Sequence, residues 1–456
     1  MFKTYTALCA LAAQAQAAEV EDASNHWAII VAGSRGFGNY RHQADACHAY
    51  QILKKAGIPE SQIIHINYDD VANSSENKRK GTLYNKPTPK GTPGVNVYEG
   101  CQIDYKGADA TKENLLAIFQ GDPTSTGGKT LKSDANSKVF FSFFDHGAPG
   151  LVAMPVGSYL YADELFKSIS YAHQNSMYKE MTVYMEACEG GSMFEGFNYK
   201  DLNVYALSAT NSKVSSWGTY CRPNDMVDGV SVGSCLGDLF SVNWMEDTDA
   251  HSDMKETLKT QYDTVKKETT KSPVCEWGDL TIQDEDIGQF QSNEAPKEDH
   301  DDVGDKFWKL LKRAGKSALK DAFKVDKYMS QEKNDSAVNS RDINLNYLYG
   351  KVMDNATIEN TQALTEALNQ RMLVDKRFAS MFPKHFEAVK DNAPLPTDYD
   401  CYRTLVDTYE THCGQFDDYS MKYMATLVAE CEGIKSVPEA IKGSIGRIQE
   451  QCPLTN

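Results

Sequence analysis

The sequence predicts an α/β protein, a mainly parallel sheet flanked by helices, followed by a small all-α domain. Apolar runs of strand length alternate with helical periodicity from Trp27 to about Ile287. Strands that are apolar throughout, not in alternation, are expected where helices cover both faces of a parallel sheet. After about Phe290 the pattern turns acidic and loop-like, then basic and helical, then helical to the end. That last stretch holds Cys401, Cys413, Cys431 and Cys452, enough for two bridges in a domain too small to rely on its core.

In chain order, Lys3, the mostly apolar run Tyr5–Ala13 and the small residues Ala15, Ala17 and Ala18 read as a signal peptide over 1–18. Export gives meaning to the N-x-S/T sequons at Asn73, Asn334 and Asn355. Trp27–Ala32 is a buried strand, and Gln43–Lys55 a helix with Ala44, Cys47, Tyr50 and Leu53 on one face. Ile63–Asn67, Val139–Phe144, Met181–Ala187 and Val204–Ala209 are further strands. Thr82–Tyr105, rich in Gly and Pro, is expected to be a surface excursion. These elements form one domain over 26–290. An activation segment over 291–342 follows, with a helix at Lys306–Lys327 that presents Phe307, Leu310, Leu311, Ala314, Ala318 and Ala322 on one face. Its eight basic residues suit docking on the acidic first domain better than a membrane surface. Gln331–Arg341 reads as a polar linker, and 343–456 as the helical domain.

Composition narrows the function. A formal charge of −17 excludes the basic footprint that nucleic acid requires and suits an acidic compartment. No stretch beyond the signal approaches the ~20 apolar residues of a membrane helix. No metal or cofactor is expected: His42, His48 and His65 lack ligand spacing, and Gly33–Gly38 lacks the order of a nucleotide loop.

Chemistry concentrates at two strand ends. One strand runs into Asp145-His146-Gly147, the other into Cys188-Glu189-Gly190-Gly191. Functional groups of parallel sheets gather at carboxyl ends of strands, so His146 and Cys188 are a candidate base and nucleophile. A lone cysteine is more often a buried structural thiol. Two strand-end groups, each followed by glycine, favour catalysis, with backbone N–H groups of Cys188 and Gly147 as oxyanion donors.

The blocks Gly38–Tyr50, Asp145–Gly147, Glu186–Met193 and Gly237–Asp247 closely resemble the legumain family of asparaginyl endopeptidases, also called vacuolar processing enzymes. The resemblance implies a caspase-like domain with a death-domain-like prodomain covering its active site, and a cysteine endopeptidase that cuts after Asn, or after Asp at low pH. It implies Cys188 as nucleophile, His146 as general acid/base and Asn39 as the residue orienting His146; Asn39 could also cap the helix that follows. Asp145 matches a family aspartate able to form a succinimide. Arg41, His42, Glu186, Ser216 and Asp238 match the specificity pocket, where Arg41 can donate to an amide oxygen while Glu186 and Asp238 accept from its NH₂.

The resemblance further implies disulfides Cys221–Cys235, Cys401–Cys431 and Cys413–Cys452. Cys47 is expected to be a buried thiol, while Cys101 and Cys275 have no assignment. Asn334, Asn339 and Asn344 are candidate sites of self-cleavage in acid. Implied partners are peptides with Asn before the cut bond, the chain's own prodomain and cystatin-type inhibitors. The implied route is secretory, to a lysosome, vacuole or the exterior. A peptide ligase using the same dyad is the nearest rival; a GPI-transamidase subunit and an inactive binding protein stand further off.

Overall fold

The structure is a computed structural model, described over residues 25–293, 333–388, 394–435 and 437–452. The expected signal peptide and the basic helix Lys306–Lys327 lie outside these residues. Strands β1 (His26–Ala32), β2 (Ile63–Ile66), β3 (Lys138–Phe144), β4 (Glu180–Glu186) and β5 (Val204–Ser208) pair in parallel in the order β5-β4-β3-β1-β2. The short strands β6 (Trp217–Thr219) and β7 (Gly237–Asp238) lie outside this sheet, and β8 (Cys275–Gly278) closes its edge antiparallel to β5. The four central strands are apolar on both faces because helices cover both. Ile29, Val31, Phe141 and Val183 face one cluster; Ala28, Ile30, Phe140 and Tyr184 face the other.

Helices α1 (Tyr40–Lys55), α2 (Lys112–Phe119), α3 (Ala162–Gln174), α4 (Leu239–Ala250) and α5 (Leu258–Glu268) form these layers. Helix α1 starts at Tyr40, directly after Asn39 and three residues before the Gln43 at which the apolar pattern begins, and buries its first turn, including Arg41 and His42. Polar side chains there hid the helix from a reading based on apolar period.

Two expectations are corrected here. Cys47 is no free thiol; it is bridged to Cys101. The excursion Thr82–Tyr105 folds back on α1, burying Leu83, Tyr84, Val97 and Tyr105, and Gln51 donates to the carbonyls of Val97 and Glu99. The fold-back brings Cys101 to α1, a contact invisible to local periodicity. Cys275 is a partly buried free thiol. Bridges Cys221–Cys235, Cys401–Cys431 and Cys413–Cys452 are present.

Residues 333–342 are not a free linker. Strand β9 (Val338–Asn339) adds to β6 antiparallel, Val338 opposite Gly218 and Asn339 opposite Trp217. Lys333 is buried between Glu246 and Glu268, at 3.2 Å from each. Helices α6 (Ile343–Asp354), α7 (Ile358–Met381), α8 (Tyr399–Cys413), α9 (Met424–Ile434) and α10 (Pro438–Gln451) complete the chain. Their own core, around Phe378, Tyr402, Leu405 and Leu427, also takes in Ala148, Leu151 and Tyr161 from the first domain. No described helix is long and apolar enough to cross a membrane.

Candidate active site

Register builds the centre of the site. Ala32 pairs with Phe144 and Phe144 with Glu186, so β1, β3 and β4 end side by side. Gly33 donates to the Phe144 carbonyl and Asp145 to that of Glu186. Asp145-His146 and Ala187-Cys188 therefore leave adjacent strands at one level. Two glycines are required by this closeness: a Cβ on Gly147 would lie 2.3 Å from the Cys188 carbonyl oxygen, and one on Gly33 2.5 Å from Asp145 Oδ2.

His146 is buried, with Nε2 2.9 Å from Asn39 Oδ1 and 3.2 Å from Asp418 Oδ1. With Nε2–H donated to Asn39, Nδ1, which has no protein hydrogen-bond partner, is left as the basic nitrogen. Asn39 sits at the N-cap position of α1, but its side chain makes no capping bond; it reaches His146 instead, so the expected double role does not hold. Burial drives the imidazole down to about 4, with the Asp418 carboxylate opposing and Arg41 and Arg341 adding to the drop.

Cys188 is fully buried; its sulfur accepts from Ser216 N at 3.3 Å and lies 3.5 Å from Ser216 Oγ. Burial raises the thiol above its ordinary value, partly offset by Arg341. Both groups are thus held toward their neutral forms, the thiol by a raised value and the imidazole by a lowered one.

The expected pocket residues form a buried polar cluster. Arg41 Nε donates to Asp238 Oδ1 at 2.8 Å, and His42 Nε2 is 3.4 Å from Asp238 Oδ2. Glu186 Oε2 accepts from the N–H and hydroxyl of Ser241. Arg41 Nη2 and Glu186 Oε1 are buried with no protein hydrogen-bond partner. Burial pushes the carboxyls of Glu186, Asp238 and Asp45 up; mutual repulsion adds to this for Glu186 and Asp45, while Arg41 pulls Asp238 back. The cluster thus holds the Arg41 cation, an idle donor at Arg41 Nη2 and idle acceptors at Glu186 Oε1 and Asp238 Oδ2. An idle buried polar group carries a desolvation cost of about 1–3 kcal/mol until a ligand pairs it.

The cleft is filled by the chain itself. Ser340 donates its N–H to Ser216 O, with its hydroxyl 3.1 Å from Ser216 Oγ. Arg341, 5% exposed, donates to Glu189 Oε2 at 2.7 Å, to Gly147 O at 2.6 Å and to Asp418 O at 3.1 Å. Ile343 Cδ1 lies against Gly218 beside Arg41. The self-cleavage candidates differ in setting. Asn334 is buried, its amide bonded to Thr270 and Glu268. Asn339 accepts from Arg341 N one residue short of the Ser216 contact, and Asn344 is exposed beside Gly38.

Sequence reasoning missed Ser34, whose hydroxyl lies 2.6 Å from His42 Nδ1, as well as Glu189 and Asp418. Glu189 stands next to Cys188, and its flank of glycines was the available signal. Asp418, 272 residues from His146 (418 − 146), carries no local signal.

Comparison with known proteins identifies the family. A family model described as Peptidase C13 family matches residues 26–293, and one described as Legumain, prodomain matches 362–445. The chain is 36% identical over 437 residues to a vacuolar-processing enzyme of Vicia sativa, covering 91% of this chain and 84% of that protein. It is 35% identical over 452 residues to the delta-isozyme of vacuolar-processing enzyme from Arabidopsis thaliana, covering 94% and 90%. Among solved structures, caspase-1 from Spodoptera frugiperda aligns with a TM-score of 0.34 and 12% identity over 57% of this chain and 88% of that one.

Proposed function

Because the chain belongs to the peptidase C13 family and is a cysteine endopeptidase with its own prodomain, we propose that it cuts after Asn, is held latent by residues 338–343 and Asp418, and activates itself in acid. The observation that carries the specificity is the pair of idle groups in the buried pocket, Arg41 Nη2 and Glu186 Oε1. A primary amide offers one acceptor oxygen and an NH₂ donor. Arg41 takes the oxygen; Glu186 and Asp238 take the NH₂. An aspartate would bring a third carboxylate to Glu186 and Asp238, and enters only when one of the three is protonated.

Catalysis follows from the strand ends. With the cleft cleared, His146 takes the Cys188 proton and the thiolate attacks the carbonyl carbon after Asn. Backbone N–H groups of Gly147 and Cys188 hold the oxyanion. His146 returns the proton to the leaving amine, the C–N bond breaks, and a thioester remains. Water, deprotonated by His146, attacks the thioester; the acid product leaves and Cys188 recovers its proton. Asn39 keeps the imidazole turned toward the sulfur.

Self-cleavage after Asn339 needs a shift of one residue along β6, and Asn344 is open to a second molecule. Asn334 becomes a substrate only once its packing opens. Shipment to a vacuole or lysosome through the secretory route supplies the acid. The test is to shift the full chain to acid pH and assay an Ala-Ala-Asn fluorogenic peptide, its Asp analogue, and Cys188→Ala. Asn-selective cleavage lost in the variant is expected. No cleavage by a chain whose prodomain has demonstrably left overturns the reading.

A further inference from the structure

We propose that the catalytic histidine belongs to a second, inhibitory site: His42, Asp145 and His146 together form a three-ligand site for a borderline divalent transition ion, Zn²⁺ or its analogue Co²⁺. In the sequence His42 stands 103 residues before Asp145 (145 − 42) and shows no ligand spacing, yet one ligand atom from each of the three side chains lies within 4.8 Å of the others. His42 Nδ1 is 3.1 Å from Asp145 Oδ1, and His146 Nε2 is 3.9 Å from the same oxygen. A tetrahedral zinc ion with bonds of about 2.0–2.1 Å separates its ligands by about 3.3 Å, so these edges are near those of a zinc site. The two rings meet edge-on with centroids 5.0 Å apart.

A second observation is independent of the cluster's composition. Both Asp145 oxygens, His42 Nε2 and His146 Nδ1 are buried with no hydrogen bond of acceptable geometry, and the residues bearing them are 5% exposed or less. Such groups are paired in most proteins; here a cation would satisfy the carboxylate. A cavity of about 360 Å³, lined among others by Gly33, Asn39, Asp145, His146 and Asp418, supplies the entry path. Imidazole–imidazole–carboxylate donor sets select zinc-like ions over Ca²⁺ and Mg²⁺. The nearby Arg41 charge is already countered by Asp238 at 2.8 Å.

Binding would displace the short contacts of His42 Nδ1 with Ser34 Oγ at 2.6 Å and of His146 Nε2 with Asn39 Oδ1 at 2.9 Å. The ion takes the His146 Nε2 lone pair, the ring proton moves to Nδ1, and Nδ1 can no longer accept the Cys188 proton. No covalent step is involved, and removal of the ion restores the enzyme.

The experiment uses the full chain carrying Cys188→Ala, which cannot cleave itself or bind metal through that thiol, so occupancy is read apart from peptidase activity. Co²⁺ is titrated and followed by its visible absorption. One equivalent with the intense bands of a four-coordinate ion is expected, weakened about 100-fold by Asp145→Asn. His42→Gln in the same background is the second variant, and circular dichroism establishes which of them folds. Absence of stoichiometric binding overturns the proposal. So does binding unchanged in a folded variant, which would place the ion elsewhere, for instance at Asp247, His251 and Glu256. In the released wild-type enzyme, Zn²⁺ should inhibit reversibly by chelation; indifference to Zn²⁺ at saturating Co²⁺-equivalent concentrations also overturns it.

Discussion

At the scale of single residues, the pocket is the most informative feature, because every side chain in it is costly to bury alone. Arg41 is fully buried and keeps its charge through Asp238, and breaking such a pair by removing one partner costs about 3–5 kcal/mol. Asp238→Asn is therefore the better probe than Arg41→Ala: it keeps the volume and one acceptor. We expect Asp238→Asn to lower kcat/KM for the Asn peptide by about 100-fold or more, because an amide facing an amide leaves a buried donor unpaired. Steady-state kinetics on the acid-activated variant measures this; an undiminished kcat/KM would remove Asp238 from the pocket. The residue types at Cys188, His146 and Asn39 were legible in the sequence through strand ends and family blocks. Asp418 was not, because its link to His146 exists only when the second domain is docked.

At the scale of elements, β9 occupies the cleft by strand addition, the way extended peptides bind exposed sheet edges. Its backbone supplies affinity, while Ser340 presents a hydroxyl where the pocket residue Ser216 is met. Arg341 adds the specific anchor, since its guanidinium neutralises buried Glu189. Burial raises the Glu189 carboxyl and Arg341 lowers it again, the first effect prevailing. Arg341→Ala should release the segment and give measurable peptidase activity at neutral pH without prior acid, read with the Ala-Ala-Asn substrate. A variant as silent as the wild-type chain at that pH would show that Arg341 is not the latch. The polar composition of 331–341 read as a linker because a strand added by backbone bonds needs no apolar pattern.

At the scale of the whole molecule, the proposed acid activation would act through proton linkage across the two domains. In the docked state His146 is held down to about 4. Exposure on undocking returns it toward the ordinary histidine value near 6.5. The undocked form then binds more protons, so docking weakens as pH falls from about 6.5 to about 4. Glu76 acts in the same direction lower down. Burial raises it, but Tyr347 and Lys351 of α6 outweigh that and hold it below its ordinary value. Asp354 of α6 is likewise held down by Arg222. Those pairs persist above the ordinary carboxylate range and are lost as pH falls through the depressed values. Glu410 opposes, since burial raises it in the docked state despite its bond from Tyr159. We expect undocking of the still-tethered prodomain, followed in Cys188→Ala as an increase in hydrodynamic radius on size exclusion across a pH series, to have its midpoint between about pH 4 and 6.5. Asp418→Asn should move that midpoint up, because it removes the carboxylate that favours a protonated His146 in the docked form. A midpoint that ignores this change would dissociate His146 from the switch.

What the sequence determined by itself was local in origin. Continuous apolar runs specified the parallel strands β1, β3, β4 and β5, and strand ends specified where His146 and Cys188 would stand. Tertiary structure alone decided the contacts between segments distant in the chain. It joined Cys47 to Cys101, brought His42 beside Asp145, and laid residues 338–343 and Asp418 over the site. The physical reason is that propensity and periodicity are read from neighbours along the chain. Buried polar pairing is settled only when the folded chain brings a donor and an acceptor to one place and excludes water from both.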